Sequence, residues 1–459
     1  MFSRRFPKDP TVVTRSQLRA RGPAPLYPQL RPRPHGPDRE TIAANQRRRM
    51  FGAMIEAVLR DGYDATSVAA VSALAGVSKR TFYEQFDNKQ ACFLAVYDAI
   101  VERGLARVAA AQSAERGWEA GLRRAVEAFA IAAAEHPGAA RLALVEAGAT
   151  PVTAARANAA RRRFEWILAA GFERAPGGAL PSVVVRAIAG GVEGVVRRRV
   201  LDGETDRLPA LAGALAAWTV AQQPLGPATI PALAPARCPR DRLALWPRVR
   251  ARSDDERVRI LRAAAEIAAA EGIARLTPMQ IVDRAGVSER AFGDSYDSAE
   301  ACYLDALDLV WLEMITSVAS ASRAAGDGPR GAYRGIAALM DYVATDSVLR
   351  GLILIDAFAD GPVAVRRWER IVQRFVDLLA SRLPSQLRAG VVAEAAVHAV
   401  WGIVRRHVAS GTAHQLPGLA GWAAYVALAP VVGGEAAVRA ILAEERALAA
   451  GEGVDAVAA

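Results

Sequence analysis

Five consecutive residues, Lys79-Arg80-Thr81-Phe82-Tyr83, place two cations and two hydroxyls around one apolar ring. Side chains of this kind hydrogen-bond phosphate oxygens, and Ser78 just before them and Lys89 just after extend the set. None of them forms a nucleophile with a base at hand. The five histidines, His35, His136, His398, His407 and His414, lack the ligand spacing of a metal site. Cys92, Cys238 and Cys302 show none of the close pairs of a zinc site or disulfide framework. No phosphate loop, dinucleotide fingerprint or nucleophile elbow occurs. The sequence thus predicts no catalysis, no cofactor and no bound metal, but a polyanion as partner.

Helices must position these residues. Residues 44 to 60 put Met50, Met54, Ile55, Val58 and Leu59 on one stripe, an amphipathic helix ending near Gly62. Thr66 is a good N-cap for a second helix through Leu74, and Gly76 stops it. Ser78 then caps a short third helix, Lys79 to Gln85, and Asn88 caps a fourth running towards Arg103. Leu74, Val77, Phe82 and Phe86 are expected in the core. Helix, tight glycine turn and helix make the helix-turn-helix arrangement.

The run Ala75-Gly76-Val77-Ser78-Lys79-Arg80-Thr81-Phe82-Tyr83, followed by Phe86-Asp87-Asn88-Lys89, resembles the signature of the tetracycline-repressor (TetR) family. A short third helix of this kind fits a major groove, with Lys79 and Arg80 at base edges and Thr81 and Tyr83 towards phosphates. Lys89, at a helix N-terminus, adds another phosphate contact. The residues expected to face double-stranded DNA are therefore Thr66, Ser78, Lys79, Arg80, Thr81, Tyr83 and Lys89. The resemblance also implies repression, a helical body enclosing a small-molecule effector, and a four-helix dimer interface from its last two helices.

The motif recurs. Shifted by 210 residues, Gly62 falls on Gly272, Ala75-Gly76-Val77-Ser78 on Ala285-Gly286-Val287-Ser288, Phe82 on Phe292 and Ala91-Cys92 on Ala301-Cys302. At a shift of 208, Gly194-Val195-Val196-Arg197-Arg198 lies over Gly402-Ile403-Val404-Arg405-Arg406. The fold expected is all-α, two tandem TetR-like units, each a helix-turn-helix domain followed by a helical body. The candidate interface helices are Pro181 to Leu201 with Leu208 to Gln222, and Val391 to Ala409 with Leu416 to Pro430.

The rear copy departs where phosphate contact is expected. Lys79 becomes Glu289, Thr81 becomes Ala291, Tyr83 becomes Gly293 and Lys89 becomes Ala299. Residues 44 to 104 hold eight basic and seven acidic side chains, residues 254 to 314 six and thirteen. An excess of seven negative charges repels a polyanion, so the rear copy is expected to have lost DNA binding.

Length and composition set the frame. At 459 residues the chain exceeds one core, and 52% apolar residues with few aromatics favour packed helices. The net charge of +10 suits a polyanionic partner. No secretory signal follows Met1, few cysteines fit a reducing compartment, and the expected location is the cytoplasm. The uncharged run Val408 to Gly434 is expected as a buried interface helix, not a membrane span.

The domains expected are a disordered basic Pro/Arg-rich arm, 1–38; an intact helix-turn-helix domain, 39–104; a helical regulatory domain, 105–221; a Pro-rich linker, 222–253; a degenerate acidic helix-turn-helix domain, 254–314; a second regulatory domain, 315–450; and a tail, 451–459. Arg15, Arg19, Arg21, Arg31 and Arg33 make the arm either a minor-groove clamp or a solubilising tail. A linker of this length spans up to ~100 Å, so the units can pair as an intramolecular pseudo-dimer or as a homodimer of chains. The alternative to a regulator is a ligand-binding or protein-interaction module without useful DNA affinity.

Overall fold

The computed structural model describes residues 39–148, 151–223, 233, 255–358, 362–382 and 391–449, and every regular element among them is a helix. The arm at 1–38, nearly all of the linker, Cys238 and the tail lie outside them. Contacts divide the chain into two compact units, one up to Asp98 and one from Ala99 onward.

In the first unit, α1 (Arg39–Ala65) begins earlier than its apolar stripe suggests and breaks at Gly62, whose φ of 79° and ψ of 165° lie outside the helical region. Met50, Met54, Ile55 and Val58 are buried, but Leu59 is 36% exposed. Leu59 sits about 100° around the helix from Val58, at the edge of the stripe rather than on it. Helices α2 (Val68–Ala75) and α3 (Lys79–Gln85) follow, then α4 (Lys89–Ser113). Phe82 and Phe86 are sealed in the small core with ring centroids 5.6 Å apart, while Leu74 and Val77 are only half-buried. Cys92 is fully buried, and burial pushes its thiol up to about 12, so it packs as an apolar group.

The second unit opens with the rest of α4 and continues through α5 (Trp118–Glu135), α6 (Pro137–Leu144), α7 (Pro151–Phe172), α8 (Ser182–Leu201) and α9 (Leu208–Val220). Its later helices are α10 (Glu256–Glu271), α11 (Pro278–Ala285), α12 (Glu289–Gly293), α13 (Ala299–Ala324), α14 (Pro329–Thr345), α15 (Ser347–Phe358), α16 (Pro362–Ala380), α17 (Val391–Ala409), α18 (Ala420–Val432) and α19 (Gly434–Ala449). Helix α10 packs tightly on α15, where a Cβ on Gly351 would stand 2.6 Å from that of Ala269. The apolar run becomes a short 3-10 turn and α18, with residues Ala420 to Ala429 buried.

The most extensive helix–helix packing among the described residues joins α8 to α17. A Cβ on Gly190 would meet the Gly402 Cα at 3.7 Å, and one on Gly194 the His398 Cβ at 2.6 Å. Small residues here let two backbones approach without side chains between them. Charged groups ring the contact: Arg199 forks onto Glu394 at 2.8 and 2.7 Å, Arg197 donates to Glu369 at 2.8 Å, and Arg198 to Gln373. Reciprocally, Arg406 of α17 lies 3.7 Å from Glu165 of α7. Burial alone would raise Glu193, but its fork with Arg161 and the nearby Arg197 and Arg405 hold its carboxyl down at about 2.

Candidate nucleic-acid interface

Helix α3 is set by two caps and one glycine. Ser67, not Thr66, caps α2, its Oγ accepting from the Ala70 N–H at 3.1 Å. Gly76 takes φ 61° and ψ 39°, a left-handed conformation that ends α2 and reverses the chain. Ser78 then caps α3, accepting from the Thr81 N–H at 3.0 Å, and its hydroxyl also meets that of Thr81 at 2.9 Å. Asn88 caps α4 through the Ala91 N–H at 2.8 Å.

A residue that sequence reasoning missed fixes this turn from the side. Arg49 donates to the carbonyl oxygens of Ala75 and, at 2.8 Å, Gly76, so it takes up the orphaned carbonyls at the end of α2. Arg47 beside it stacks its guanidinium over Phe86, 4.8 Å from the ring centroid. The signal that could have found both lies in the 210-residue shift: Arg257 and Arg259 stand at the matching places. Arg257 lies over Tyr296 at 5.9 Å and Arg259 donates to the Ala285 carbonyl at 3.3 Å.

Of the expected contact residues, the structure exposes Ser78, Lys79, Arg80 and Tyr83, with Thr81 half-buried. Tyr83 is 56% exposed, its ring meeting that of Phe82 edge-on at 5.6 Å and leaving the outer face and hydroxyl open to a partner. The Arg80 side chain is 89% exposed and meets Glu84 one turn on at 3.1 Å, an exchangeable surface pair.

Two expectations need correction. Thr66 is 2% exposed and its hydroxyl donates to the Gly62 carbonyl at 2.7 Å, so it braces the end of α1 and offers nothing to a phosphate. Lys89 is half-buried, and its ammonium donates to the carbonyls of Tyr63 at 2.9 Å and Asp64 at 3.2 Å. These carbonyls lie beyond the Gly62 break, and that of Tyr63 also accepts from the Thr66 N–H at 3.2 Å. Lys89 thus binds the protein's own backbone.

The segment at 255–313 repeats these devices. Thr277 caps α11 in a full capping box with Gln280, Gly286 has φ 62°, and Ser288 caps α12. Helix α12 is only five residues long, closing at Gly293 as Asp294 N–H bonds back to Arg290. Its exposed charges are Glu289 and Arg290, the latter 3.8 Å from Asp294.

Residues 55–96 match the family described as "Bacterial regulatory proteins, tetR family". The curated proteins give no match. Among solved structures, a TetR-like transcriptional regulator from Rhodococcus sp. RHA1 is similar at 23% identity, over 38% of this chain and 94% of that one, with a TM-score of 0.33. The transcriptional regulator FadR from Bacillus subtilis, in complex with stearoyl-CoA, is similar at 18% identity, over 38% and 97%, with a TM-score of 0.35. The TetR family regulator PfmR from Thermus thermophilus is similar at 22% identity, over 38% and 94%, with a TM-score of 0.32. Helices α2 and α3 and the turn between them lie within the stretch that matches this family.

Proposed function

We propose that this chain is a transcriptional regulator that grips double-stranded DNA through α3 and represses until a small molecule enters its rear body. The observation that carries the reading is the exposure of Lys79, Arg80 and Tyr83 on a helix whose start is locked by Ser78 and whose turn is locked by Arg49. Cationic side chains on a short preset helix suit a major groove, with phosphate neutralisation supplying most of the affinity. The shortened α12, set in the acidic segment 254–314, takes no part.

We further propose that the two repeats, residues 39–221 and 254–450, arose by duplication and that their helical bodies pair within one chain. Support comes from reciprocity in the 208-residue register, where Gly190 corresponds to His398 and Gly194 to Gly402. The contacts Gly190 to Gly402 and His398 to Gly194 are then the same contact seen from each side, as in an isologous pair.

Effector response is supported by α16, which serves two purposes. Phe375, Leu378 and Leu379 wall an apolar cavity, while Glu369 and Gln373 on the same helix hold Arg197 and Arg198 of α8. A ligand that shifts α16 therefore acts on the front body. DNA footprinting with the full chain on the region upstream of its own coding sequence tests the reading. Protection of one half-site per chain is expected, and absence of any footprint at moderate salt overturns it.

A further inference from the structure

We propose that the rear body is a receptor for an anionic amphiphile, a monocarboxylate with an apolar tail, whose carboxylate takes Arg382 away from Asp327. This rests on the reading of that cavity as the effector site and names the ligand's chemistry. The cavity lies among α13, α14, α16 and α17 as a half-open recess of about 50 Å³, or about 470 Å³ when the solvent at its open mouth is counted. Ile336, Leu339, Phe375, Leu379, Val400 and Trp401 give it an apolar wall, and among the described residues Arg382 is the one charged residue lining it.

That guanidinium is incompletely used. Its side chain is only 12% exposed, and among the described residues its buried Nε finds no acceptor. An Nη donates to Asp327, which sits in the turn between α13 and α14 and is itself 90% exposed. A buried cation whose partner is a solvated surface carboxylate is poised for exchange, because the pair is held weakly while the empty donor retains its desolvation penalty. A ligand carboxylate can take both Nε and Nη in a fork, and its tail then occupies the apolar wall. A neutral alcohol of equal length fills the wall but leaves the fork unmade.

The test titrates decanoate and decan-1-ol into the full chain by calorimetry, with tryptophan fluorescence as a second readout because Trp401 lines the cavity and packs on Trp311 and Trp368 at 5.9 and 5.0 Å. Decanoate is expected to bind at least about tenfold more tightly than the alcohol. Arg382→Gln should erase that difference. Asp327→Asn, at an exposed position that leaves folding intact, should tighten decanoate several-fold and leave the alcohol unmoved, a gain no structural role explains. Equal binding of acid and alcohol, or no effect of Asp327→Asn, overturns the carboxylate assignment while the cavity remains a ligand site. Binding of neither removes the cavity reading as well, and DNA binding measured without ligand stands or falls separately.

Discussion

The ammonium of Lys89 donates to the Tyr63 carbonyl at 2.9 Å and also stands 4.4 Å from the centroid of the Tyr63 ring. One side chain at the start of α4 thus closes the end of α1 twice, by hydrogen bond and by cation-π contact. Lys89→Met should lower the stability of the front unit by about 1–2 kcal/mol. Thermal unfolding checks it, with Tyr83→Ala as the contrast: an exposed ring whose loss should leave the melting point in place. Equal melting points for Lys89→Met and wild type would return Lys89 to the DNA contacts.

DNA affinity should follow the front helix alone. Lys79→Ala and Arg80→Ala are each expected to reduce the slope of log affinity against log salt by roughly 1, and Tyr83→Ala to weaken binding. Arg290→Ala and Gly293→Ala should change nothing. Anisotropy titrations on the footprinted fragment across a salt series decide this, and a loss of affinity in either rear variant contradicts the division of labour.

Crowding at the α8–α17 contact is uneven. Gly194→Ala drives a methyl into the His398 side chain and should destabilise the second unit by about 1–3 kcal/mol. Gly402→Ala has only the Gly190 Cα at 3.8 Å to meet, so helix propensity prevails, and it should be neutral or stabilising by up to about 1 kcal/mol. Urea unfolding of both variants compares them directly; equal losses would mean that the helices do not touch there.

Acid should weaken the same contact. Burial, then the Arg197 charge beside it, pushes the His398 imidazole down from 6.5 to about 3, with Arg198 and Arg199 adding to the effect and Glu394 opposing it. Glu369 also faces the ring, its Oε2 3.8 Å from Nε2. A histidine depressed in the folded state takes up its proton on unfolding, so its stabilisation is present above pH 6.5 and is lost progressively as pH falls towards 3. Glu193, depressed from 4.5 to about 2, adds a further loss in that lower window. The urea midpoint should therefore drop on acidification from pH 6.5, and His398→Gln should flatten the upper part of that fall. An unchanged pH profile in the variant would place a solvated imidazole at this site.

Much of the front unit was legible because its determinants are local. Gly76, Ser78 and Asn88 act within three or four residues of themselves, and their places in the sequence suffice to find the turn and both caps. Thr66 and Ser67 are adjacent and chemically alike, and only the path of the chain after Gly62 decides which one caps. Lys89 and Arg49 act across 26 and 27 residues on backbone carbonyls, which carry no side-chain signal; the recurrence of Arg49 as Arg259 is a mark in sequence, whereas Lys89 has Ala299 opposite it. The rear cavity was invisible for another reason: Phe375 and Val400 are residues any core would use, and a void is a matter of what fails to fill it. Helices α8 and α17 were found because the resemblance implies an interface in the last two helices and because Gly194 to Arg198 recurs at Gly402 to Arg406, although the ion pairs to α16 and α7 were not foreseen.

Gly190 and Gly402 meet although 212 positions of one polypeptide separate them. Surfaces joined by a tether meet at an effective concentration fixed by the tether, not by how many molecules a cell holds. Dilution therefore leaves this contact in place. On the proposed reading, occupancy of a DNA target rises with the first power of copy number, a shallow dose curve that lets a few molecules per cell act without first finding one another.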